Sequence, residues 1–451
     1  MKAWRRRTVW DTGRGGMNPT RAVALSFGTM ILLGTLLLLL PVMRRPETQG
    51  GGVFLRLFTA TSATCVTGLD LADPLSNWSF GGQVVILLLL QLGALGFMMA
   101  YSLVLLLLRR EIILSQRVVL ASALGLKNTG EVLRLVRHGL MGTALFESIG
   151  ALLLAFRFVP RYGWGRGLWY SVFHGISAFC NGGFALADLS EFSGDVYVLG
   201  IHMVLSVIGG IGFIVWEDIL RARKWRRLSL YSRLALTGTA VLILGGWAYF
   251  TNSEWNNPAT LGAMAPGERV LAGLFQSVNL RTAGFSIFSQ GEMKETAQVV
   301  SMLFMLIGGC SGSTACGIKV VTVVVLFAAL VSGLQGREDV VLRGWSIPRR
   351  QVQNAMTLTM VVVFTALFSA LLMAHFEGGG FLPLCFESVA SIGTVGLSTG
   401  ITGSLSFASR CVLVVQMYLG RVGILAFSLA FLTRRRVDDK LKYPNCELLI
   451  G

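Results

Sequence analysis

Four short strings hold the residue types that could do chemistry in this chain. They are "VTGL" at Val66 to Leu69, "NGGF" at Asn181 to Phe184, "RTAGF" at Arg281 to Phe285 and "TVGL" at Thr394 to Leu397. In each, a glycine follows small or polar residues and precedes a large apolar one. Such strings suit the capture of a dehydrated monovalent cation. Backbone carbonyls can replace its water if the backbone turns its oxygens inward, and glycine permits the dihedrals this requires. Thr67, Thr282 and Thr394 would add hydroxyls beside the path.

Elements must bring these strings together. Each ends an apolar stretch too short to cross a membrane: "FLRLFTATSATCVTGL", "WYSVFHGISAFCNGGF", "LAGLFQSVNLRTAGF" and "FLPLCFESVASIGTVGL". A phenylalanine precedes each glycine at similar spacing, from Phe58 to Gly68, Phe173 to Gly183, Phe275 to Gly284 and Phe386 to Gly396. A re-entrant half-helix with a non-helical return fits, because irregular backbone at membrane depth survives only where it is buried or lines a wet path. The short helices would aim their negative C-terminal ends at the ion. A glycine-rich motif then follows at near-constant distance, from Gly68 to Gly93, Gly183 to Gly209, Gly284 to Gly308 and Gly396 to Gly420. The unit of span, half-helix, glycine strand and span therefore occurs four times with one topology, over residues 1–115, 116–232, 233–350 and 351–451.

Composition sets the class. The 451 residues are 53% hydrophobic and 14% charged, against about 25% charge in soluble domains. Runs of about twenty apolar residues read as membrane spans. Eight are expected, at 22–43, 84–108, 138–158, 197–220, 234–250, 297–332, 353–375 and 408–433. The expected fold is an all-α integral membrane protein, with eight spans and four re-entrant half-helices around a central ion pore. The net charge of +16 clusters at alternate span ends: Lys2 to Arg7, Arg109 to Arg117, Arg221 to Arg227, Arg337 to Arg350 and Arg434 to Lys442. Excess Lys and Arg mark the cytoplasmic side, which places both termini there. A nucleic-acid partner is not implied, because no aromatic-interleaved polar domain accompanies the charge. The cysteines Cys65, Cys180, Cys310, Cys316, Cys385, Cys411 and Cys446 show no close CxxC spacing and read as free thiols.

Two elements fall below the glycine strings. The sixth span is interrupted by Gly308, Gly309, Gly312 and Gly317, with Ser311, Ser313 and Thr314 among them and Lys319 at the end. Each glycine costs up to about 1 kcal/mol of helix propensity against alanine, so this stretch reads as a loop lying across the path. Arg421 in "LGRVG" is a mid-span charge. Such charges face a cavity or a partner; a position beneath the glycine strings is expected, with loop carbonyls or Glu147 as the alternative partners. Arg281 is expected to tether the loop behind its string. Glu147 and Glu387 are expected to accept from pore-loop amides, and Asp70, Asp73 and Asp188 to stand at the outer mouth. His138, His174, His202 and His375 carry no metal spacing. "GCSG" around Ser311 matches an intramembrane serine protease string. It would need a base within reach, and His202 stands near the outer start of the fourth span. An ion-coupled secondary transporter is the closer alternative, although transporters usually carry inverted or two-fold repeats.

The strings "CVTGL", "CNGGF", "RTAGFS" and "GTVGLS", with "IGGCSGSTACGIK" and "GRVG", resemble the potassium-translocating subunits of the Trk/Ktr/HKT superfamily over essentially the whole chain. The ending "KYPNCELLIG" is similar to the KtrB type. The resemblance implies potassium uptake at the plasma membrane without a cofactor. It also implies a homodimer with one pore per subunit and a cytosolic nucleotide-binding ring of the KtrA type. Carried over, the filter would be Val66–Thr67–Gly68, Asn181–Gly182–Gly183, Thr282–Ala283–Gly284 and Thr394–Val395–Gly396. Glycine at all four critical places implies potassium competence, without implying that sodium is excluded. The resemblance makes Gly308 to Lys319 the gate, in which Cys316 stands where glycine is more usual.

Overall fold

The computed structural model describes residues 19–45, 52–107, 132–337 and 339–423. The basic clusters at Lys2 to Arg7, Arg109 to Arg117 and Arg434 to Lys442, and the eighth span beyond Gly423, lie outside these residues. The chain is mostly helical. The first unit holds α1 (Pro19–Leu39), α2 (Val53–Cys65), α3 (Pro74–Asn77) and α4 (Phe80–Leu107). The second holds α5 (Val132–Tyr162), α6 (Trp164–Cys180), α7 (Val196–Ile211) and α8 (Phe213–Ala222). The third holds α9 (Leu230–Glu254), α10 (Pro266–Asn279), α11 (Glu295–Leu306) and α12 (Val320–Leu334), and the fourth α13 (Arg349–Phe376), α14 (Phe381–Ile392) and α15 (Phe407–Val422).

One feature departs from the all-helical expectation. A small antiparallel hairpin, β1 (Val340–Leu342) and β2 (Trp345–Ile347), lies in the basic segment before α13. Arg343 and Gly344 both have positive φ, the backbone of a tight two-residue hairpin turn.

The radial pattern is inside out. Phe58, Phe173, Phe275 and Phe386 on the short helices α2, α6, α10 and α14 are fully buried, together with Thr61, Ser62, Ser177, Ser277, Ser388 and Ser391. Large apolar side chains on the long helices face outward, including Leu36, Phe156, Val241, Met360 and Phe364. A lipid surround accounts for this, since lipid makes an apolar exterior favourable and hydroxyls need protein partners. Among the described residues three helical segments are long and apolar enough to cross a membrane: Val136–Tyr162, Leu230–Glu254 and Arg349–Phe376. The pair α7 and α8 passes the same test together, bent by 89° at Gly212.

The bends have a common cause. Gly96, Gly212 and Gly423 all take positive φ, at 73°, 93° and 88°, which no helix accommodates. Each stands three residues after a glycine, Gly93, Gly209 or Gly420, whose missing Cβ makes room for a carbonyl at the end of a short helix, Thr64, Phe179 or Ile392. The interruption read in the sixth span is therefore not confined to the third unit. All four break after the glycine motif, and the third differs by inserting a whole loop.

Candidate functional site

The four short helices end in one backbone pattern. Val66, Asn181, Thr282 and Thr394 adopt left-handed backbone, at φ 57°, 59°, 69° and 50°, and the glycine two residues on has positive φ in each case. A left-handed residue after a helix is usually glycine. Three of these four are β-branched, for which that region is an outlier. The turn satisfies the last helical carbonyls: Thr67 N–H donates to Ser62 O, Gly182 N–H to Ser177 O and Val395 N–H to Ala390 O, each at 2.8 Å.

The segments then pack against one another in cyclic order. A Cβ added to Gly68 would lie 2.6 Å from Gly182 O, and one on Gly183 would lie 3.2 Å from Gly284 Cα. One on Gly284 would overlap Val395 O, and one on Gly396 would overlap Thr67 O. The order first, second, third, fourth and back to first closes a ring. All twelve residues at Val66 to Gly68, Asn181 to Gly183, Thr282 to Gly284 and Thr394 to Gly396 are thus brought to one place. Thr67 Oγ1, Thr282 Oγ1 and Asn181 Oδ1 are buried without a hydrogen-bond partner among the described residues.

Polar side chains on the short helices brace the ring from behind. Ser62 Oγ accepts from Gly68 N–H at 3.1 Å, and Asn279 Oδ1 accepts from Phe285 N–H at 3.3 Å. Glu387 Oε1 accepts from Thr399 N–H at 2.9 Å and also from Ser398, while its Oε2 accepts from Thr402. That is the role expected of it. Glu147 differs, accepting from the side chains of Gln91 and Cys180. Arg281 reaches Thr239 Oγ1 at 3.5 Å and Gly308 O at 3.4 Å. It is a tether, and one end of it lies on the third-unit loop. Asp73 and Asp188 cap the short helical turns that follow their strings, so their carboxylates are engaged locally.

The loop Gly308 to Lys319 lies against this assembly from three sides. Cys310 N–H donates to Gly210 O, and Phe213 N–H donates to Gly312 O, both at 2.9 Å. Tyr231 Oη accepts from Ser311 N–H at 2.8 Å and donates to Ser311 O at 3.4 Å. Thr314 Oγ1 accepts from Asn181 Nδ2 at 2.9 Å and donates to Phe179 O at 3.3 Å. Lys319 Nζ donates to Ala315 O at 2.8 Å. Arg421 Nη1 donates to Thr314 O at 2.8 Å and meets Cys316 Sγ at 2.9 Å, while Nη2 donates to Gly93 O at 2.5 Å and Ala94 O at 3.1 Å. Its partners are therefore carbonyls and a thiol, not Glu147. His202 has both ring nitrogens engaged, by His174 and Val198 O, so neither serves Ser311. The six described cysteines are free thiols.

A family model described as "TrkH: Cation transport protein" matches residues 2–439. The Ktr system potassium uptake protein B of Bacillus subtilis is 36% identical over 435 residues, covering 96% of this chain and 97% of that protein. The potassium/sodium uptake protein NtpJ of Enterococcus hirae is 34% identical over 445 residues, covering 97% and 98%. The potassium transporter TrkH from Vibrio parahaemolyticus superposes with a TM-score of 0.74 at 18% identity, covering 93% of this chain and 86% of that one. The helical fold and its glycine ring are those of a membrane protein. The chain belongs to the TrkH family of cation transport proteins, and the resemblance read from its strings is borne out.

Proposed function

We propose that the chain takes up potassium through a channel-like path whose filter is the glycine ring. The observation that carries this reading is the closed cyclic packing of four segments in a strained left-handed backbone, each presenting carbonyls where no helix or sheet can use them. Strain of this kind persists where function needs it, and a ring of carbonyls replaces the hydration shell of a monovalent cation. The unpartnered oxygens of Thr67, Thr282 and Asn181 add acceptors at the same place. Potassium is the ion named for the two relatives and the structural neighbour, with sodium beside it for one relative.

The finer reading follows from it. Eight spans form four units around the path, with both termini in the cytosol of a cell whose plasma membrane holds the protein. The loop Gly308 to Lys319 is the gate and Arg421 its latch. The functional form is a homodimer, and a cytosolic nucleotide-binding ring acts on the basic segment 337–350 that follows α12.

Rubidium uptake by the purified protein in liposomes tests the core of this. Uptake driven by membrane potential alone, halting only near the equilibrium potential of rubidium, is the expected result. A requirement for a sodium or proton gradient would replace the channel-like path with a coupled transporter.

A further inference from the structure

The residue after the buried phenylalanine of each short helix is Thr59, His174, Gln276 or Glu387. In three units this side chain holds the chain beyond the glycine, each time with different chemistry. Glu387 takes the amide of Thr399, three residues after Gly396. His174 Nε2 accepts from Leu186 N–H at 3.1 Å and Ala187 N–H at 3.0 Å, three and four residues after Gly183. Gln276 Nε2 donates to Gln290 Oε1 at 2.5 Å, further along the third segment. Thr59 instead bonds within its own helix, to Leu55 O.

The second unit is the most determined. His174 Nδ1 lies 3.1 Å from His202 Nε2, and His202 Nδ1 lies 2.8 Å from Val198 O. Both imidazoles are buried, at 0% and 1% exposure. A carbonyl can only accept, so His202 Nδ1 carries hydrogen and its Nε2 carries the lone pair. His174 Nδ1 must then donate, which leaves its Nε2 free to accept from two backbone amides. Every position in the relay has one assignment. The pair also reaches the next unit. His174 stacks on Phe285 and His202 meets the same ring edge-on, with centroids 6.4 and 5.3 Å apart. Phe285 directly follows Gly284.

We infer that His174, fixed by His202, is a positioning residue for ion discrimination: it sets the outer end of the second filter segment and, through Phe285, the third. The inference rests on the filter reading above. Rubidium uptake with sodium as competitor tests it on the full chain in liposomes. His174→Phe keeps a ring but offers no acceptor, so the sodium inhibition constant is expected to fall about ten-fold. His174→Glu, the group the fourth unit uses at this place, is expected to restore the parental constant. His202→Leu removes the acceptor that fixes His174 Nδ1 without touching Leu186 or Ala187; the sodium inhibition constant is expected to fall here too, and this variant decides the matter if His174→Phe does not fold. A parent protein without rubidium uptake would overturn the filter reading itself. A parent that conducts, with folded variants of unchanged sodium inhibition, would overturn the positioning role alone.

Discussion

Val66, Thr282 and Thr394 are β-branched residues held at positive φ. Each placement costs about 1–3 kcal/mol, so the surrounding contacts must over-determine them. The neighbouring glycines are fixed from the other direction, by the absence of room. At Gly68, φ is 89° and an added Cβ would lie 2.6 Å from Gly182 O. A side chain there meets the second segment and does not project into an open path. Gly68→Ser is therefore expected to displace the Gly182 carbonyl and to let sodium compete with rubidium about ten-fold better; equal competition in a folded variant would remove Gly68 from the filter. At Asp70, burial, reinforced by the Asp73 carboxylate, pushes the carboxyl up to about 7. Above that pH it is charged, and at the mouth of the path proposed above that charge would raise the local cation concentration; below it the charge is lost. Uptake is expected to decline as external pH falls through about 7, and Asp70→Asn to flatten that decline. An identical pH profile in the variant would assign the decline elsewhere.

The loop Gly308 to Lys319 is joined to the glycine ring as well as to its own unit. Thr314 accepts from Asn181, a member of the glycine ring, so excising Ser311 to Ala315 would also disturb the ring. Tyr231→Phe is a cleaner release, because it removes only the hydroxyl that binds Ser311 N–H and O. Partner-independent rubidium flux is expected to rise in this variant with sodium competition unchanged. Flux equal to the parent would show that this contact does not hold the gate. Arg421→Ala removes four contacts that tie α15 to the loop and to the bend of α4. Charge-assisted bonds of this type contribute about 1.5–3 kcal/mol each at most, so a lower melting temperature together with raised basal flux is expected. A stable variant with parental flux would leave Arg421 without a part in gating.

For the whole molecule, exterior faces such as those of Met360, Phe364 and Phe368 on α13 are apolar and exposed. Lipid satisfies most such surface, yet a helix face can equally pack on a second copy. Light scattering of the protein in mild detergent is expected to give the mass of two chains. A monomer that conducts rubidium at the parental rate would make the dimer unnecessary.

Much of this architecture was legible in the order of residues. Membrane class follows from apolar runs and sparse charge, and the four short helices with their left-handed ends follow from glycines recurring at near-constant distance from a phenylalanine. These are local signals, set by the length a helix needs to cross lipid and by the residues a left-handed turn tolerates. The ring of segments, the partners of Arg421 and the relay through His174 and His202 were not legible. His174 and His202 looked uninformative because no spacing rule links a pore helix to the following span. Arg421 offered two sets of partners, and only folding chose carbonyls 107 and 328 positions away. Sequence by itself determined which backbone could turn its oxygens inward. Tertiary structure alone decided which oxygens face which glycines, because that choice depends on how four separately encoded helices close around one axis.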